Sequence, residues 1–162
     1  MAELTNLETK LGEVIGLAMA AQAATERVEK LTTDSKLKKQ LKAMRQEAAK
    51  AEKDGTAVAA SINGKKNKIL AEARTVKAKG ASMLKTYLDR DSDELDGYDF
   101  LTMAEAGEVG HWGVLQELNK QAKHAGVREL VKVQLPIQKR HLKDVMATSL
   151  QLAAQEDANA AA

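Results

Sequence analysis

The chain has 162 residues, 44% apolar, 30% charged and only 2% aromatic, with alanine runs such as Ala20–Ala21 and Ala23–Ala24. This composition favours helices and argues against a sheet, which draws on aromatic and β-branched side chains. With no cysteine, disulfides, thiolate nucleophiles and Cys-type zinc sites are excluded, and a formal net charge of +2 gives no whole-chain attraction to nucleic acid or anionic membrane.

The first helix is predicted to open at Thr5, whose hydroxyl can cap the first turn while Glu8 reaches back. Leu7, Leu11, Val14, Ala18, Ala21, Thr25 and Val28 then recur at helical spacing, the seam of a helix in a left-handed bundle. Thr25 is the polar step in that seam, and its hydroxyl can bond the carbonyl one turn back. The helix should end near Leu31. Thr32 to Ser35 supply cap chemistry for a second helix, in which Leu37, Leu41, Met44, Ala48 and Ala51 repeat the spacing until Gly55. The short connection makes these two an antiparallel hairpin.

From Thr56 to Asp96 the pattern is less regular, with Asn63-Gly64, a Lys-rich segment holding Ile69, Leu70, Ala73 and Val76, and then Gly80. It reads as a crossover connection carrying short helices. The acidic run Asp91–Asp96 and Gly97 break the chain before a third bundle helix, which extends to about His124 and is closed by Ala125-Gly126. A fourth runs from about Val127 to about Ala154, with a kink expected at Pro136. The expected fold is an all-α four-helix bundle forming one domain over residues 1–156, with a frayed tail over 157–162. The N-terminus has no basic leader segment, and the stretch Val14–Ala24 is too short to span a bilayer and is interrupted by Gln22. A cytoplasmic location without membrane association is the expectation.

The third-helix seam reads Leu101, Glu105, Glu108, Trp112, Leu115, so two carboxylates stand where the first two helices carry mostly Leu, Val or Ala. A buried carboxylate needs a cation, a hydrogen-bond donor or a raised pKa, and a metal ion would satisfy it. On the fourth helix Gln138 and His141 lie three apart on the face shared with Val145 and Leu152, in position to meet those glutamates. Two-metal bundles use one Glu from each of two helices and a Glu-x-x-His pair from each of the others. Glu108 and His111 form a literal Glu-x-x-His, and Gln138 to His141 is the same pattern with an amide for the carboxylate. The first hairpin offers Gln22, Met44 and Glu47, with Lys50 where a histidine would complete the pair. Four firm carboxylates are absent, so the residues allow a single Fe, Mn or Zn ion on Glu105, Glu108 and His141, assisted by Gln138 or Glu47.

The competing reading pairs the seam acids with Lys or Arg, or has them line a solvated crevice. His111 reads more simply as a surface residue and His124 as a cation at a helix C-terminus. Trp112 reads as a core or rim anchor, and Met19, Met44, Met103 and Met146 as gap-fillers. The lysines from Lys65 to Lys85 read as a solvated face rather than a nucleic-acid site. No Walker loop, Gly-x-Ser-x-Gly or dinucleotide fingerprint occurs, so neither a nucleotide nor a flavin cofactor is expected.

Three stretches, Thr33-Asp34-Ser35-Lys36-Leu37-Lys38, Leu70-Ala71-Glu72, and the run from Asp99 to Gly113, resemble the YciE/YciF-type stress-associated family of the ferritin-like superfamily. The resemblance covers roughly Ala24 to Val145. Glu105 and Glu108 match the paired acids of that family's third helix, and Trp112-Gly113 replaces a Tyr-Gly. The chain departs from the pattern at Gln22, where the family carries Glu, at Met44 and Ala106, where it carries His, and at Ile137-Gln138, where it carries two acids. The resemblance implies a ferritin-like four-helix bundle with a crossover, a dinuclear metal site in the core, and a homodimer; the functional expectation is a ferritin-like stress-associated protein whose carboxylates and histidine hold iron or manganese and react with oxygen or peroxide. The departures imply an alternative, a metal-free bundle serving as a structural or protein-interaction module.

Overall fold

The computed structural model describes residues 3–160; residues 1, 2, 161 and 162, at the ends of the expected domain and tail, lie outside the described residues. Five helices follow one another: α1 (Asn6–Leu31), α2 (Ser35–Ser61), α3 (Lys66–Tyr87), α4 (Glu94–Ala122) and α5 (Ala125–Ala153). Among the described residues there is no strand, and no helix is long and apolar enough to cross a membrane.

The helix starts follow local chemistry. Thr5 and Glu8 form the expected capping box, with Glu8 N donating to Thr5 Oγ1 at 3.2 Å and Thr5 N to Glu8 Oε2 at 2.8 Å. Asp34 caps α2 by accepting from Lys36 N and Leu37 N. Within the acidic run, Asp93 and Asp96 make a second capping box that opens α4.

Three boundaries differ from the sequence reading. Gly55 does not end α2, which continues to Ser61, because that glycine is a close-packing position: a Cβ there would lie 2.7 Å from Ile15 Cγ1. The connection carries one 22-residue helix, α3, instead of short pieces. Ala125-Gly126 begins α5 instead of closing α4; the left-handed residue between them is Lys123, at φ 55°. His124 consequently serves as the N-cap of α5, its Nδ1 accepting from Val127 N at 3.2 Å, and is not a C-terminal cation. Asn119 clamps this turn from both sides, donating to His124 O at 3.1 Å and accepting from His124 N at 3.0 Å. α5 runs through Pro136 as one helix. Of the supposed gap-fillers, Met44 is buried and Met19 partly so, whereas Met103 and Met146 are exposed.

Side-chain contacts fix the helix directions. Arg45 pairs with Glu29 at 2.7 Å and Ile15 packs on Gly55, so α2 runs antiparallel to α1. Gly12 faces Ile69 and Glu72, Gly16 faces Ala73 and Val76, and Ala20 faces Gly80, so α3 runs parallel to α1. Gly97 lies against Val28 and Leu31 while His111 meets Glu13, so α4 returns antiparallel to α1. Ser149 donates to Asp99 at 2.9 Å and Arg140 to Glu47 at 2.7 Å, so α5 opposes both α4 and α2. α1, α2, α4 and α5 thus form a four-helix bundle, and α3 lies against α1, carrying the chain from the end of α2 to the start of α4.

The core falls into two apolar clusters. One gathers Leu11, Val14, Ile15, Trp112, Leu115 and Val131; the other gathers Val28, Leu41, Met44, Tyr98, Leu101 and Val145. Along α4 and α5 the residues between these clusters are polar, and they form the waist of the bundle.

The α1–α3 contact is close because α1 carries glycine there. A Cβ on Gly16 would come within 2.4 Å of Ala73 O and 2.7 Å of Val76 Cβ, whereas one on Gly107 of α4 meets nothing within 4 Å. Chemical denaturation should therefore separate two nominally identical changes. Gly16→Ala should lose about 1–3 kcal/mol through overpacking, and Gly107→Ala should gain about 0.5–1 kcal/mol through helix propensity.

Candidate functional site

The α4 seam turns Glu105 and Glu108 inward, at 2% and 4% exposure, and the α5 seam brings Gln138 and His141, each 2% exposed, into the same layer. α2 contributes Glu47 from its edge. His141 joins two carboxylates: its Nε2 donates to Glu47 Oε2, and its Nδ1 lies 3.6 Å from Glu105 Oε2. Arg140 Nη2 holds the other oxygen of Glu47 at 2.7 Å. The Gln138 amide lies between the two glutamates, and the hydrogen-bond network assigns its nitrogen to them, donating to Glu105 Oε2 at 3.3 Å and Glu108 Oε2 at 3.1 Å. One polar chain therefore runs from Arg140 through Glu47, His141, Glu105 and Gln138 to Glu108.

The electrostatics follow from this order. Burial disfavours charge on His141, but the contacts with Glu105 and Glu47 outweigh it and raise its pKa above 6.5. Burial likewise pushes Glu47 up, yet His141 and Arg140 together hold it below the usual carboxylate range. Glu108 has no cation beside it: burial first, and the negative charge of Glu105 second, raise it well above that range.

Five of the six residues expected at the site belong to this chain. His111 does not. It lies 3.0 Å from Glu13 Oε2 and 3.3 Å from Lys10 Nζ, turned toward α1, so the literal Glu-x-x-His spacing joins no pair. Three helical residues displace a side chain by about 60° around the axis, which takes His111 off the seam that holds Glu108. Gln22 is occupied elsewhere, donating to Glu52 Oε2 at 2.5 Å, and Lys50 pairs with Asp54. Two participants escaped the sequence reading. Arg140 neighbours His141 but acts on Glu47 from another helix, which spacing within one helix does not reveal. Gln134 is 1% exposed, with neither amide atom hydrogen-bonded; it lies one turn before Gln138, and its position on the α5 seam was the signal. Trp112 Nε1, one turn beyond Glu108, is also buried without a partner.

Among the described residues, no three His, Asp or Glu side chains are gathered around one point in a way that could hold an ion. The reason is visible in the chain: Gln138 separates the glutamates, and Glu47 occupies His141 Nε2. The amide is itself a potential donor, however. Turned to present its oxygen, it would sit 3.3 and 3.1 Å from the two carboxylate oxygens, and adjacent ligands of an octahedral ion with bonds of about 2.1 Å are separated by about 3 Å. With His141 Nδ1 alongside, the donors are three oxygens and one imidazole nitrogen, a set suited to iron or manganese. A 210 Å³ apolar groove between α1, α3 and α4, walled in part by Ala20, Ala21, Gly80, Met83 and Met103, also has Glu105 and Glu108 in its lining.

No family model, curated protein or solved structure matches the chain.

The pKa directions give the metal-free protein an unusual pH profile. Glu108, raised in the fold, binds its proton more tightly there than in the unfolded chain, so stability falls as pH rises through the window from 4.5 to its folded pKa. His141, also raised, contributes stability that is complete below 6.5 and lost as pH climbs through its folded pKa. Glu47 has the opposite sign, its contribution being lost only as pH falls through its lowered pKa. In chelator-treated protein, Glu108→Gln should raise stability at pH 7 and flatten the decline with pH. His141→Ala should cost about 3–5 kcal/mol at pH 6 by leaving buried Glu105 without its cation, while Arg140 still holds Glu47. Urea melts at pH 5, 6, 7 and 8 measure both.

Proposed function

We propose that this chain is a ferritin-like protein that holds a single iron or manganese ion in the waist of its bundle. The observation that carries the reading is the convergence of the Glu105 and Glu108 oxygens on the Gln138 amide at 3.3 and 3.1 Å, with His141 beside them. The order of the helices supports the fold assignment, since α2 and α4 run in one direction, α1 and α5 in the other, and α3 supplies the crossover.

In this reading Glu105, Glu108, Gln138 and His141 are the ligands and Glu47 is a positioning residue. Its hydrogen bond to Nε2 fixes the imidazole ring and leaves Nδ1 for the ion, and Arg140 holds Glu47 in turn. A bound iron or manganese ion would supply Lewis acidity and electron exchange with oxygen or peroxide. The residues contribute two carboxylates, one neutral oxygen and a site almost without solvent exposure. The apolar groove beside Glu105 and Glu108 suits entry of small uncharged molecules.

One observation favours a second reading, a metal-free bundle whose waist is a structural network: as assigned, Gln138 donates to both glutamates and His141 contacts two carboxylates. Elemental mass spectrometry on tag-free protein from iron- and manganese-supplemented cultures separates the two. The first reading expects about one metal per chain, its loss in Glu105→Ala/His141→Ala, and stabilisation by about 2.7 kcal/mol with free metal at a hundred times Kd. Metal-free protein, together with a Glu105→Gln variant as stable as the parent, would establish the second.

A further inference from the structure

Trp112 and Gln134 are each 1% exposed, and three of their polar atoms, Trp112 Nε1 and both ends of the Gln134 amide, have no hydrogen-bond partner among the described residues. The two side chains belong to one layer. α4 and α5 run antiparallel, in a register fixed by His141 against Glu105 at 3.6 Å and Gln138 against Glu108 at 3.1 Å. One turn onward along α4 leads from Glu108 to Trp112, and one turn back along α5 leads from Gln138 to Gln134, so the same seam carries both. The Asn119 clamp on His124 holds that register where the helices join. On the side away from the acids the surroundings are apolar, with Leu115, Val131 and Leu135 in the same cluster as Trp112. On the other side the Gln138 amide nitrogen is committed to Glu105 and Glu108.

We propose that Trp112 and Gln134 bind one water molecule inside the bundle, in the layer next to the acids. Buried indole and amide groups are nearly always hydrogen-bonded, because leaving them unpaired in an apolar layer is costly. The three unpaired atoms specify the ligand. The indole N–H and the amide NH2 donate, and the amide oxygen accepts. The bound molecule must therefore accept twice and donate once through one compact centre, which a water oxygen does. A bare anion has no hydrogen for the amide oxygen and would lie one turn from two carboxylates. A metal cation meets two donors and one acceptor, and dioxygen donates nothing. Buried waters typically make about three hydrogen bonds, the number offered here. The site is independent of any ion at Glu105 and Glu108, and it carries the polar waist one layer further, to Trp112.

Trp112 is the only tryptophan, so its indole N–H gives one unambiguous signal in 15N-labelled protein. In the chelator-treated intact chain, water-selective NOE and rotating-frame NOE spectra should connect that proton to water, with the signs of a long-resident internal molecule. Gln134→Met, similar in length and without the amide, should lose the contact. It should also melt below the parent, since the indole keeps its need for a partner while the water loses its bonds to the amide. If the variant does not fold, the parent decides alone, through its NOE and through a high-resolution crystal structure with an ordered water bonded to Trp112 Nε1 and to Gln134. No water contact at the indole in the parent, an indole N–H bonded directly to the Gln134 oxygen, a contact that survives Gln134→Met, or a Gln134→Met variant that melts above the parent would each overturn the assignment.

Discussion

Two carboxylates on the inward seam of one helix constrain every helix that faces them. Glu105 and Glu108 cannot be buried beside leucine without a donor or a proton, and the chain answers differently for each. Glu105 receives a histidine from α5, itself anchored to Glu47 on α2 and, through that carboxylate, to Arg140. Glu108 receives only the Gln138 amide, and burial raises its pKa well above the usual carboxylate range. Three helices are thereby tied into one register, because moving any of them by a residue would strand a charge in a dry layer. The two apolar clusters on either side supply burial, but hydrophobic contacts are non-directional. The polar waist supplies the directionality they lack.

The fourth member of the bundle, α1, contributes none of these charged groups to the waist. Its seam passes the waist with Ala18, Ala21 and Thr25, whose hydroxyl donates to Ala21 O at 2.7 Å and so makes no demand on a neighbour. Small residues suit a helix flanked by α2, α4 and α3 together. Gly12 and Gly16 bring α3 backbone close, and Gly55 of α2 receives Ile15. α1 organises by what it omits, and α4 by what it buries.

Much of this was legible in the sequence because periodicity and caps are local. Thr5 with Glu8, the end near Leu31, and the seam placing Glu105, Glu108, Gln138 and His141 on inward faces all follow from spacing alone. The failures share one cause, that a residue type has more than one physical use. Gly55 looked like a stop and is a packing surface; Ala125-Gly126 looked like a terminator, while Lys123 takes the left-handed position; His124 caps a start, not an end. The crossover was harder. α3 buries only Ile69 and Ala73 within its helix, too few apolar positions to advertise one continuous helix. At the site, the literal Glu108–His111 motif misled, because chain spacing is no guide to which neighbour a half-exposed ring will meet, and here it met Glu13. Arg140 lay beyond reach because its partner is on another helix.

The sparse anchoring of α3 also bears on time. Both of its buried residues lie in its first half; from Arg74 to Tyr87 the helix is held by half-buried contacts such as Val76 on Gly16 and Gly80 on Ala20. Segments with few buried apolar contacts open at a lower free-energy cost than the fold as a whole. The stretch of α3 bearing Gly80 and Met83 is also one wall of the groove beside Glu105 and Glu108. By that principle the wall beside the acids should open at a lower free-energy cost than the bundle as a whole, and solvent should reach Glu105 and Glu108 without global unfolding.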